Sequence, residues 1–166
     1  MLSVFPVGNG AEIFLGNFYL DENNFLGGIW QGFSRHTWES LNSFVGHSYS
    51  QIRNTGGLTD HVKYFGGATF SIRENVDEFN NWRGVSLGNY INAKIENELN
   101  IEFSGGWIYS ENGLFWHEYG HTKDSKLLGL TYLLAIGIPS ATGAEWTELR
   151  ANNRAWDYAR NRGLMD

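Results

Sequence analysis

The chain has no cysteine. That excludes a disulfide framework and every thiolate-bound metal, so any metal must be held by His, Asp or Glu. Basic residues are few as well, 12 Lys and Arg against 18 Asp and Glu, and they form no cluster. A net charge of −6 argues against a nucleic-acid surface. Long apolar runs are missing too. The longest, Leu127 to Ile138, falls short of the roughly 20 residues a bilayer requires and is broken by Gly129 and Gly137 before Pro139, so no membrane insertion is expected. The opening MLSVFPVGNGAEIF shows neither a basic leader nor an extended apolar segment, and no secretory signal is expected there.

What is present is 166 residues, enough to bury one core without staples, so a single domain over 1–166 is expected. Glycine (21 residues) and aromatics (16%) are abundant, which suits tight turns and a core built on large rings.

The most informative stretch is Leu114-Phe115-Trp116-His117-Glu118-Tyr119-Gly120-His121. HExxH on a helix puts two imidazoles one turn apart on one face, with Glu118 beside them. Two neutral histidines can bind zinc, and a glutamate close to metal-activated water can take its proton. The chain's own residue frequencies give such a match by chance roughly once in a hundred such sequences.

Around this motif the pattern predicts an α+β chain. Glu12 to Leu20 (EIFLGNFYL) reads as a strand with a bulge at Gly16, closed by the turn formers Asp21 to Asn24. From Phe25 to Ile52 apolar residues recur at three and four, the stripe of a long helix capped by Asn23 or Asn24 and stopped by Asn54 to Gly57. Its glycines weaken it, and Thr37 or Ser40 offers a second N-cap, so two helices in series are an alternative. His36 and His47 on this segment need no special role. Val62 to Ile72 reads as a strand whose Gly66-Gly67 invites a bulge or a close backbone approach. Arg73 to Arg83 reads as a loop, Gly84 to Asn92 as a further strand, and Ala93 to Gly106 as a polar hairpin loop over the site. Its LGNY resembles the LGNF of residues 15 to 18, which reads as two bulged strands rather than a repeat.

Asn112 is a fair N-cap for the HEYGH helix, whose buried side is expected to carry both histidines and which should end at Gly129. Leu130 to Ile138 is expected to be a short apolar helix or buried connector terminated by Gly137 and Pro139. Thr142 and Glu145 have capping-box spacing, so a last helix should run from about Gly143 to Arg162.

A catalytic zinc site needs a third protein ligand. The HExxHxxGxxH route fails, because Asp124 stands at the glycine position and Leu127 at the third histidine. A glutamate from a later helix is the other common solution, and Glu145 and Glu148 are the candidates. Glu148 is favoured: it shares a face with Asn152, Ala155 and Ala159, and Asn152 one turn on could hydrogen-bond a ligating histidine. Glu145 fits the capping box better.

The blocks FLGGIWQGFSRHTWES, YFGGATF, GVSLGNYIN, LFWHEYGH, LLAIGIPS and EWTELRAN cover nearly the whole chain. Together they resemble a bacterial zincin-like domain found at the C-terminal ends of Rhs-repeat and other polymorphic-toxin-like proteins. The resemblance implies a zincin-like α+β fold: a long backing helix, a small, twisted, mostly antiparallel sheet, an HExxH active-site helix and a C-terminal glutamate helix. It implies Zn2+ as cofactor, with the family pattern falling on His117, Glu118, His121 and Glu148. It also implies a protein or peptide substrate, a cognate inhibitor or immunity protein, and secretion or delivery within a larger effector. Relatives often carry a longer, histidine-containing insert after the GIPS block, where this chain has only Ala141 to Ala144.

The expected reaction is peptide hydrolysis by metal-activated water, with Glu118 as general base, and Tyr132, Tyr158 and His61 as candidate donors to the oxyanion. The edge of Gly84 to Asn92 is a candidate seat for an extended substrate. The competing expectation is a catalytically inactive binding or structural module, suggested by the glycine- and aromatic-rich first half.

Overall fold

Alternation along two short strands decides the layout. In β2 (Ala68–Arg73) Phe70 and Ile72 join one cluster of buried apolar residues while Thr69 and Ser71 face the other way. β4 (Tyr90–Lys94) repeats the pattern, with Ile91 and Ala93 in that cluster and Tyr90 and Asn92 opposite. The computed structural model describes residues 5–21, 24–74, 84–95 and 113–163.

These two strands pair in parallel at the centre of a four-stranded sheet. β1 (His61–Phe65) pairs antiparallel with β2 on one side, and β3 (Gly84–Leu87) pairs antiparallel with β4 on the other, giving the order β1-β2-β4-β3. The sheet is therefore mixed, and among the described residues β3 is an edge. Each antiparallel pair is a tight hairpin, where single bulged strands were expected. Gly66 and Gly67 take φ of 53° and 81°, so the chain reverses in two residues between Phe65 and Ala68. Gly88 (φ 62°) and Asn89 do the same between Leu87 and Tyr90. The expected close approach at Gly66-Gly67 is real, since a Cβ there would overlap the Tyr119 hydroxyl or the Gln31 amide.

Helices cover both faces. The strand expected over Glu12 to Leu20 is instead the second half of α1 (Phe5–Leu15) and the turn after it. Tertiary anchoring overrides the β-propensity of its residues: Ile13 is fully buried beside Val62 and Tyr90, and Asn9 donates to the Thr59 carbonyl at 3.0 Å. Gly16 marks a close approach to Thr69 rather than a bulge.

The long helical stripe is broken into α2 (Phe25–His36) and α3 (Ser40–Thr55), the in-series alternative. Asn24 caps α2, its Oδ1 accepting from Gly27 N at 3.0 Å. The break at Thr37 to Glu39 is held by Ser34, whose hydroxyl donates to the buried Glu39 carboxylate at 2.9 Å.

On the opposite face lies α4 (Gly113–Leu128), which carries the HExxH motif and ends at Gly129 (φ 54°) as expected. It is buried on nearly all sides, since the sheet lies above it and α6 (Glu145–Asn161) beneath. Phe115 stacks on Phe70 with ring centroids 4.4 Å apart, while Ala151, Ala155 and Ala159 of α6 are fully buried. Gly120 lets the two helices touch, because a Cβ there would overlap the Ala151 carbonyl oxygen.

The segment after α4 departs from expectation. It passes through a 3₁₀ turn (Gly129–Thr131) and a π-type turn (Leu133–Gly137) into the one-turn α5 (Ile138–Ala141). Pro139 does not stop it but sits in the first turn of α5, where a missing N–H costs nothing. Tyr132 and Ile136 are buried, while Leu130, Leu134 and Ile138 are exposed. The capping box does not form. Ala144 is the N-cap of α6, and the Thr142 hydroxyl instead donates to the Pro139 carbonyl at 2.9 Å. The proposed Asn112 cap, most of the 73–83 loop and the 96–106 part of the hairpin loop lie outside the described residues. Among the described residues no helix is long and apolar enough to cross a membrane.

Candidate metal centre

Because α4 is clamped between sheet and α6, its histidines meet groups from both neighbours. His117 and His121 lie on one face, ring centroids 4.9 Å apart and rings nearly perpendicular. From the first turn of α6, Glu148 reaches between them. Its Oε2 is 2.9 Å from His117 Nε2 and its Oε1 3.9 Å from His121 Nε2. One ligand atom from each of the three residues lies within 4.8 Å of the other two, so the group could hold a metal ion.

The surroundings tune these donors. His117 Nδ1 sits 2.9 Å from Asn152 Oδ1. That amide oxygen can accept the Nδ1 proton, an arrangement that would leave Nε2, now 2.9 Å from Glu148 Oε2, to face a cation. Burial, together with the neighbouring His117, lowers the His121 pKa to about 4, which keeps this imidazole neutral. Glu148 is pulled two ways. Burial works upward, but the Ser140 hydroxyl (2.6 Å from Oε1), both imidazoles and the Thr147 hydroxyl outweigh it and hold the carboxyl below its usual value. A neutral His121 beside an ionised Glu148 carboxylate suits a divalent cation.

Glu118 forms the next part of the wall. Burial raises its pKa, opposed by the Ser86 hydroxyl, which lies 2.6 Å from Oε2 and 2.9 Å from the Glu118 backbone oxygen. Its other oxygen lies under Gly84, where any Cβ would collide with it. The edge strand β3 thus passes directly over the carboxylate.

All of these groups open into one cleft of about 880 Å³ between β3, α4, α5 and α6. Its lining includes the polar His117, Glu118, His121, Glu148 and Asn152 and the apolar Val85, Leu87, Leu114, Leu133 and Ile138.

The positions singled out in the sequence divide clearly. His117, His121, Glu148, Glu118 and Asn152 converge. Tyr132 also lines the cleft, its hydroxyl donating to the Ser86 carbonyl at 3.3 Å, with burial pushing its pKa up. Tyr158 does not belong: it lies on the far side of α4 and α6, bonded to Asp21 at 3.2 Å and packed on Tyr119. His61 is excluded as well, since it starts β1 at the opposite edge of the sheet and faces Glu74 at 3.5 Å. Glu145 is exposed on α6, outside the donor group. His47 is engaged with Tyr90 and Asn17, and His36 packs near Phe18.

Sequence reasoning missed Ser86, Ser140, Thr147 and Gly84. The even spacing of Gly84 and Ser86 marks one strand face, but nothing local says that this face meets Glu118. Comparison with protein families, with curated proteins and with solved structures finds no match for the chain.

Proposed function

We propose that this chain is a zincin-like, zinc-dependent peptide hydrolase. His117, His121 and Glu148 would hold the ion and Glu118 would act as general base. The observation that carries the reading is the convergence of two imidazoles and one carboxylate from different helices on an open cleft, with a second, buried carboxylate in its wall. The donor set fits zinc: nitrogen and oxygen ligands only, three in number, one imidazole oriented by Asn152. Bound there, zinc supplies Lewis acidity, which acidifies water and polarises a carbonyl.

The protein's own residues supply the rest. Glu118 accepts the proton of the attacking water at Oε1, the oxygen that Ser86 leaves unengaged, and returns it to the leaving amine. Its raised pKa suits both directions of transfer. Tyr132 keeps its phenolic proton and is the remaining candidate donor to the oxyanion, provided that the hydroxyl turns from the Ser86 carbonyl towards the cleft. Among the described residues β3 is an edge strand, and it lines the cleft, which supports an extended peptide lying along Gly84 to Leu87 as an added strand. The apolar wall of Leu114, Leu133 and Ile138 would receive an apolar side chain of that peptide.

The test joins zinc titration with cleavage of an unfolded protein. Wild type and Glu118→Gln should bind one zinc alike, while turnover in the variant falls by about 10²–10⁴-fold. Undiminished cleavage by Glu118→Gln would remove the base, and absence of zinc binding by wild type would remove the reading altogether. Zinc binding without turnover in wild type would favour the structural-module alternative. The resemblance to toxin-associated domains further suggests an effector held in check by an inhibitor protein. Growth arrest on expression, relieved by His117→Ala, would support that role, and equal harm from both proteins would count against it.

A further inference from the structure

The first two helices after α1 are amphipathic in the reverse sense. In α2 the buried residues are Gly28, Gln31, Ser34 and Arg35, and in α3 they are Asn42, Ser43, Gly46, Ser50 and Asn54. Phe25, Leu26, Ile29, Trp30 and Phe33 of α2 are 54–79% exposed, and Leu41 of α3 is 48% exposed.

The helix cannot roll to bury this stripe, because its polar face is pinned. Gln31 Nε2 donates to the Gly66 carbonyl at 3.0 Å, and its Oε1 accepts from Asp21 N at 3.0 Å. The Arg35 guanidinium donates to the carbonyls of Tyr19 and Gly67. Rotation would leave these groups buried and unsatisfied.

We propose that this stripe is a self-complementary interface through which two copies of the chain associate about a two-fold axis. Area supports it. The six exposures correspond to roughly 700 Å² of apolar surface per chain, and doubled, about 1,400 Å² falls within the class of specific interfaces. A lone apolar patch on a monomer is seldom larger than roughly 300–600 Å². Charge supports it further. Between Phe25 and Ile52 the charged residues are Arg35 and Glu39, both buried. Two chains of net charge −6 repel elsewhere, but here like faces meet without opposing charges. A bilayer fits less well. Surface-lying helices flank their apolar face with free cations, whereas nearby Lys123 sits over the Tyr119 and Tyr158 rings and Arg162 pairs with Asp21 at 2.7 Å. The proposal does not depend on the hydrolase reading.

Sedimentation velocity of the whole chain over about 1–100 µM tests it. The expected result is a monomer–dimer equilibrium that Ile29→Glu with Phe33→Glu weakens by about 100-fold or more. The same charge at another exposed position, Leu134→Glu, should leave it unchanged. Circular dichroism should match wild type in both variants, since the substituted side chains lie outside the core. A single Ile29→Cys in this cysteine-free chain should form an intermolecular disulfide under oxidation and remain monomeric under reduction only when diluted. A wild type monomeric throughout the range would overturn the proposal. So would a dimer that survives the double charge, or a monomer that binds zwitterionic phosphatidylcholine vesicles through this stripe.

Discussion

On one face of the sheet Phe70, Ile72, Ile91 and Ala93 join the apolar layer against α4, whereas the other carries the buried polar residues Thr69, Ser71 and Asn92, of which Asn92 bonds to Ser50 of α3. The first face has no direction to satisfy. It holds α4 by area and packing, and the histidines ride on a helix that α6 clamps from below. The second face has a small apolar cluster, Ile13, Val62 and Tyr90, and beside it a set of directed hydrogen bonds. Asn92 donates to Ser50, Gln51 to the Gly10 carbonyl, and the Tyr90 hydroxyl to the Ile13 carbonyl. Such pairs add little net stability but are costly to break. The difference teaches where the molecule can tolerate change: the apolar side carries stability and the site's geometry, while the polar side fixes orientation and sends its own apolar residues outward.

The largest expected effect breaks the apolar side. Phe70→Ala removes a ring stacked on Phe115 and should cost about 3–5 kcal/mol in urea unfolding. A polar side chain withstanding equal truncation at the same cost would erase the contrast between the faces.

Next comes pH. Burial lowers the His121 pKa in the folded protein to about 4, against an ordinary histidine value of 6.5. The unfolded chain therefore binds the proton first, and the stability His121 contributes is present above about 6.5 and lost as pH falls towards 4. In the metal-free protein that loss should be on the order of 3 kcal/mol. Urea midpoints between pH 7 and 4 should show it, and His121→Leu should flatten the slope.

The polar side should respond through unpaired groups rather than lost area. Gln31→Leu keeps the volume but strands the Asp21 N–H, so a cost of about 1–3 kcal/mol is expected by thermal or urea melts. A neutral or stabilising outcome would show that this face tolerates apolar replacement. The smallest effect belongs to the outward stripe. Ile29→Ser should move the stability of the isolated chain by less than about 0.5 kcal/mol, measured at a dilution where association is negligible.

Much of the site was legible without coordinates. The one-turn spacing of His117 and His121 is a property of the helix itself, and Glu148 and Asn152 were found because four residues also span one turn. Helices were legible where apolar residues recur at three and four, and the break near Thr37 to Ser40 was legible from its capping residues. What failed were inferences about direction and partners. The stripe on α2 was visible as a stripe, but periodicity is the same whether it faces core or solvent. Tyr158 and His61 were plausible donors by type, and only the packing of α4 between sheet and α6 sets Tyr158 on its far side and His61 at the opposite sheet edge. Glu12 to Leu20 read as a strand because it is rich in β-branched and aromatic residues, whereas Asn9 and Ile13 of α1 found tertiary anchors that no local rule contains.

By itself, then, the sequence determined the elements whose periods are intrinsic to the backbone, and the identity of the groups one helical turn apart on α4 and on α6. Tertiary structure alone decided that these two helices cross at Gly120, that β3 runs over Glu118, and which face of α2 meets water. The reason is physical: spacing along a helix is fixed by local geometry, whereas the side it presents is fixed by which distant groups satisfy its hydrogen bonds and fill its contacts.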